Sequence, residues 1–242
     1  MVFMFKIEFA IDIIRLLVGT IILFYASYTD IKTRKASNLN WVVLAIVGGI
    51  LLLIQFITVG FENVFYLIFI PIMIGLVFLL FQMRLIFGGA DAKALMAIAI
   101  LAPFEPEILQ FPIFKGSLMP FSWSIFSNSI ILFLFIPVSM FVFNLIKRNI
   151  SFPYCFLGYK MDIKKARKKF VWPLEKIRDG QRKFVYMPKD FDMTDELDEF
   201  EKKGIKNIWV TPKIPFMIPL LAGYIAAFIV GDILFYLMGT II

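Results

Sequence analysis

Six apolar blocks dominate this chain: Ile7–Tyr28, Trp41–Thr58, Val64–Gln82, Ala92–Pro103, Phe121–Ile146 and Ile214–Ile242. A helix that crosses a bilayer needs about 20 largely apolar residues, within a range of about 17–25. The blocks predict an all-α polytopic membrane protein with six transmembrane helices. The fourth is short unless it extends back through Gly88 and Gly89. Composition agrees: 60% of the 242 residues are hydrophobic, 29 are Phe, and the mean hydropathy is +0.85. Soluble domains are only about half apolar. Glu8, Asp12 and Arg15 interrupt the first block, which therefore reads as a retained helix and not a cleaved signal. Asp12 and Arg15 stand three apart and can pair on one helical face, as an ion pair near the outer interface.

Charge in the connections sets the orientation. The first carries Lys32, Arg34 and Lys35, the second only Glu62, and the third Arg84 and Lys93. The fourth sets Glu105 and Glu107 against Lys115, and the fifth, from Lys147 to Lys213, holds most of the Lys and Arg. Basic connections face the cytoplasm. Connections one, three and five are therefore expected inside and both termini outside. The net charge of +7 follows from this layout and calls for no nucleic-acid partner. The domain reading is residues 1–146 for helices one to five, 147–213 for a soluble insert and 214–242 for helix six.

The insert reads as a small α+β cytoplasmic element. Phe170–Leu174 and Lys183–Met187 look like strands on either side of an Asp-Gly turn at 178–180. Thr194 followed by acidic residues starts a helix, and Gly204 stops it. Asn207–Thr211 reads as a third strand. The run KKARKKF is suited to anionic headgroups, which makes membrane lipids an expected partner.

The chain has no His, and Cys155 is its one Cys. That excludes imidazole metal sites, Ser-His-Asp hydrolases, a disulfide within the chain and a four-cysteine zinc site. No metal or cofactor is expected. Carboxylates remain as acid–base groups. Asp12 and Asp232 fall toward the outer side. Asp30 and Asp91 share the cytoplasmic side, one closing the first block and one opening the fourth. If those helices touch, the two can share a proton and activate a water, as in aspartic proteases. Lys93 is a cation placed to act on that pair. Spacing alone leaves another reading open, in which both are helix-end polar residues. Paired carboxylates also serve ion- or proton-coupled transporters. A purely structural membrane subunit is a third reading, and it predicts that either aspartate tolerates replacement by Asn.

SYTDIKTRKASN, with Asp30, Arg34 and Asn38, resembles the first-aspartate region of archaeal preflagellin (archaellin) peptidases, which belong with the type IV prepilin peptidases. Gly88-Gly89-Ala90-Asp91 resembles the GxGD signature of intramembrane aspartyl proteases, with Ala90 at its third position. PLEKIRDGQRKFVY and WVTPKIPFMIPLLAGYI resemble the family's insert and the start of its last span. The resemblance covers nearly the whole chain. It implies removal of short basic leaders from preflagellins or pilin-like precursors at the cytoplasmic face. It implies Asp30 and Asp91 as the catalytic pair, with no methyltransferase part. Arg34 and Asn38 would then orient Asp30 or hold its loop. Lys213, before the last span, would touch substrate, touch the pair or sit at the interface. Gly88 and Gly89 are expected to resist helix formation and act as a flexible lip. Gly223 and Gly231 are expected to allow close helix packing.

Overall fold

A computed structural model describes residues 2–61, 64–86, 88–117, 119–178, 180–185 and 194–241. Its chain forms two compact units, Met1–Phe133 with Pro215–Ile242, and Leu134–Ile214.

The first unit is helical. It contains α1 (Val2–Thr33), α2 (Asn38–Thr58), a short 3-10 helix (Val64–Ile68) leading into α3 (Phe69–Gln82), and α4 (Gly89–Leu101). The first part of α5 (Phe121–Ile146) also belongs to it. α4 is its centre, packed against α2 and α3, and seven of its side chains are buried, among them Leu95, Ile98 and Leu101. Small residues make this possible. A Cβ on Gly48 of α2 would fall 2.6 Å from the Leu101 Cα, so the two helices cross nearly backbone to backbone.

Asp12 and Arg15 do pair, at 3.1 Å, but as core residues with 7% and 1% exposure. Arg15 also donates to Gln55 Oε1 at 2.9 Å, and Asp12 accepts from the Glu107 N–H at 2.8 Å. The interfacial pair expected from spacing is thus a buried network tying α1 to α2 and to the α4–α5 connection.

The last apolar block is two helices. α9 (Met217–Ile229) lies against α1, and α10 (Ile233–Ile241) follows. Gly231 adopts φ +98 at the break, and a Cβ there would sit 2.1 Å from the Phe114 carbonyl oxygen. The break is supplied with partners. The Phe114 N–H donates to the Val230 carbonyl at 2.8 Å, and Asn128 donates to the Gly231 carbonyl at 2.8 Å. Asp232 caps α10 by accepting from the Phe235 N–H, and it also accepts from the Ser117 and Ser124 hydroxyls. Gly231 therefore serves the break between α9 and α10 and its close approach to Phe114, not the helix packing expected of it. Gly223 does serve packing: its added Cβ would lie 2.6 Å from the Ser129 backbone nitrogen.

Among the described residues, three helical stretches are long and apolar enough to cross a membrane: Asn38–Thr58, Val64–Gln82 and Phe121–Ile146. α4 and α9 have 13 residues each. Each rises about 20 Å, short of a hydrocarbon core about 30 Å thick. Against the six spans expected from the blocks, the described residues supply these three, the 32-residue α1 with its charged residues, and the shorter α4 and α9. Ile21, Phe24, Ile57, Phe78 and Phe135 are all more than half exposed, as suits surfaces that face lipid.

The second unit is α+β. It runs from the end of α5 through α6 (Tyr154–Leu157), β1 (Tyr159–Asp162), α7 (Ile163–Ala166) and β2 (Val171–Pro173). β3 (Glu175–Arg178), β4 (Gln181–Phe184), α8 (Thr194–Lys202) and β5 (Asn207–Pro212) complete it. β1, β5 and β2 form an antiparallel sheet in that order, and β3 pairs with β4. α8 buries Leu197 and Phe200 on Met161, Val171, Ile208 and Val210. The Asn144 amide of α5 donates to the Cys155 and Gly158 carbonyls at 2.9 and 2.6 Å, fixing the start of the insert.

The helix from Thr194 and the strand at 207–211 agree with the sequence reading. Of the two stretches expected as strands around the Asp-Gly pair, Phe170–Leu174 contains β2 and Lys183–Met187 overlaps the end of β4. β2 pairs with β5, whereas β4 pairs with β3, a segment not expected as a strand. Glu175 is the reason: its buried carboxylate accepts from Arg182 Nε at 2.5 Å, Arg182 Nη2 at 2.8 Å and the Trp209 N–H at 2.6 Å. That need for partners sets the register. Asp179, residues 186–187 and 190–193, which the sequence reading also used, lie outside the described residues.

Candidate active site

α1 ends just beyond Asp30. The Arg34 N–H donates to the Asp30 carbonyl at 2.9 Å, and Arg34 takes the left-handed conformation, φ 57, that stops a helix. Ser37 then caps α2 by accepting from the Leu39 N–H at 3.3 Å. Asn38 is the first residue of α2.

α4 begins across from this turn. Gly88 is its N-cap in an extended conformation, and Asp91 lies in the first helical turn. A Cβ on Gly88 would fall 2.1 Å from Asp91 Oδ2. The carboxylate therefore lies directly over the Gly88 α-carbon, and no other residue leaves it that room. Gly89 is different. It is the first residue of α4, and an added Cβ would make only ordinary contact with Phe81 at 3.7 Å. The pair thus divides its duties: Gly88 makes space for Asp91, and Gly89 is helical despite the expected resistance. Ala90 is half-buried against the helical core. Phe87 lies outside the described residues.

α1 and α4 touch, so their ends converge. Asp30 and Asp91 are both half-buried, and the charge of Asp30 reaches Asp91. Arg34, also half-buried, is near enough for its charge to act on Asp30. Lys93 donates from Nζ to Asn38 Oδ1 at 2.9 Å, a tie between α4 and the start of α2. Its described partner is this amide, not either aspartate. Lys213 lies in the second unit, with its ammonium 4.7 Å over the Trp172 ring. Among the described residues no three Asp, Glu, His or Cys side chains gather as a metal site. Asp12 stands about 27 Å along α1 from Asp30 at 1.5 Å per residue, and Asp232 is a helix cap, so neither joins the pair.

Residues 17–143 match the type IV leader peptidase family, and residues 150–233 match the Archaeal Peptidase A24 C-terminus Type II family. The chain belongs to the type IV leader peptidase family. Within that family it is similar to the preflagellin peptidase of Methanocaldococcus jannaschii, 27% identical over 242 residues, covering 90% of this chain and 94% of the relative. The preflagellin peptidases of Methanococcus voltae and Methanococcus maripaludis are 27% and 28% identical. They cover 89% and 90% of this chain, and 94% and 96% of their own lengths. A protease of this family with long apolar helices is a membrane protein. Its matched leader-peptidase region contains Asp30, Arg34, Asn38, Gly88, Asp91 and Lys93.

Proposed function

We propose that this chain removes short basic leaders from preflagellin-like or pilin-like precursors, with Asp30 and Asp91 as its catalytic pair. The observation that carries the reading is the convergence of these two carboxylates at the ends of two touching helices, in a chain of this family. One carboxylate, ionised, takes a proton from a water as the water adds to the scissile carbonyl. The other, neutral, gives its proton to the carbonyl oxygen. The tetrahedral intermediate then collapses, the amide nitrogen leaves as an amine after protonation, and the pair returns to its singly protonated state. Two nearby carboxylates cannot readily both ionise, which keeps one proton on the pair.

Arg34 and the Lys93–Asn38 tie hold the surrounding turns in this reading. Connections one, three and five face the cytoplasm, the termini lie outside, and α1, α4 and α9 complete six crossings together with the three longer spans. The basic connections then place Asp30 and Asp91 on the side where a basic leader is retained.

The test uses the full chain, purified and reconstituted in lipid vesicles, with a preflagellin as substrate. The wild type should shorten it at the end of the basic leader. Asp30→Asn and Asp91→Asn should each express normally and leave it intact. Full cleavage by both variants would overturn the assignment.

A further inference from the structure

α2, α3 and α4 line an open groove of about 340 Å³, with Asn38 and Lys93 among its residues. Trp41, Ala45, Ile74, Met96 and Ala97 form its apolar walls, and Asn38 and Lys93 stand at its polar end. Nothing in the cleavage chemistry uses this space.

Its apolar walls suit a flexible hydrocarbon chain laid along the open groove, and the volume sits near the low end of the roughly 300–1,000 Å³ seen for ligand pockets. The polar end selects a charge. Lys93 is exposed and spends one of its three donors on Asn38, which leaves two for an anion. A third observation is independent of both. Trp41 is only 4% exposed, and its indole N–H has no hydrogen-bond partner among the described residues. A buried donor is costly unless something accepts from it. An ester or ether oxygen at the head of a lipid chain is such an acceptor.

We propose that this groove is a binding site for one anionic membrane lipid, with an acyl or alkyl chain between α2, α3 and α4 and the headgroup phosphate at Lys93. The lipid would brace the helix that carries Asp91. The inference does not depend on the cleavage reading, because its readout is binding.

Trp41 itself provides the probe. The full chain is reconstituted in phosphatidylcholine vesicles doped with phosphatidylglycerol brominated on its acyl chains. Quenching that disappears in Trp41→Phe is assigned to Trp41. It should saturate at lower mole fractions for brominated phosphatidylglycerol than for brominated phosphatidylcholine, by about fivefold for one basic contact. Lys93→Gln should remove that preference. Ala45→Phe, which fills the groove, should reduce quenching by both lipids. Inorganic phosphate at millimolar concentration should not displace the lipid. Equal quenching by the two lipids, a preference that survives Lys93→Gln, or displacement by phosphate alone would overturn the proposal. So would displacement of the brominated lipid by an apolar helical peptide.

Discussion

The carboxylate of Asp91 lies over the α-carbon of Gly88, so close that a methyl group there would stand 2.1 Å from Oδ2. Gly88→Ala should therefore push the carboxylate from its place. A displacement near 1 Å can cost about 100-fold in rate. Gly89→Ala should retain most activity, because its Cβ meets only Phe81 at 3.7 Å. Cleavage rates of the two variants side by side check this. Equal losses would show that the glycines act through flexibility and not through space.

Lys93 and Asn38 join α4 to the start of α2 through an exposed 2.9 Å contact. Lys93→Met should barely change the unfolding temperature, since such contacts contribute about 0–1 kcal/mol. It should lower kcat more than it raises KM if the tie positions Asp91. The double variant with Asn38→Ala should be no worse than the poorer single variant. Additive losses would mean that the two residues act separately.

Arg15 is fully buried with Asp12 and Gln55 as partners. Arg15→Met leaves the Asp12 carboxylate without its cation and should cost about 3–5 kcal/mol of stability. Combining it with Asp12→Asn should recover part of that loss, because the amide oxygen still accepts from the Glu107 N–H. Thermal unfolding of the purified protein checks the order. Folded Arg15→Met protein should still cleave, since Arg15 lies about 22 Å along α1 from Asp30.

Gly48 faces the Leu101 backbone across the α2–α4 crossing. Gly48→Ala should force the helices apart, with an overpacking cost of about 1–3 kcal/mol. Gly49→Ala, with no atom within 4 Å of its added Cβ, should be neutral or slightly stabilising. A pair of unfolding curves decides it.

Much of the site was legible before any fold. Asp30 and Asp91 stand at the ends of apolar blocks with basic connections, which is the ground for expecting them on one side. The pairing of Asp12 with Arg15 follows from their spacing. The burial of that pair does not, because it depends on Gln55 and Glu107, which are remote in sequence. Gly231-Asp232 was legible and missed: a glycine that ends one helix beside an aspartate that caps the next is a local signal. The surrounding apolar residues hid it, because hydropathy does not distinguish one long helix from two short ones. Around the Asp-Gly pair, the expected Phe170–Leu174 contains β2, but the strand that pairs with β4 is β3, which was not expected. Glu175 needed three donors, and only the folded insert supplies them.

The sequence by itself determined the chemistry available to this protein. Without His, and with one Cys, its acid–base work falls to carboxylates, and alternating loop charge is the ground for expecting Asp30 and Asp91 at one membrane face. Only the tertiary structure decided which groups meet and how closely. It gave Gly88 and Gly89 different duties, bound Lys93 to Asn38, divided the last apolar block and opened a groove beside Trp41. The physical reason is range. Hydropathy and helix capping act within a few residues, whereas these contacts depend on backbones that approach from distant parts of the chain.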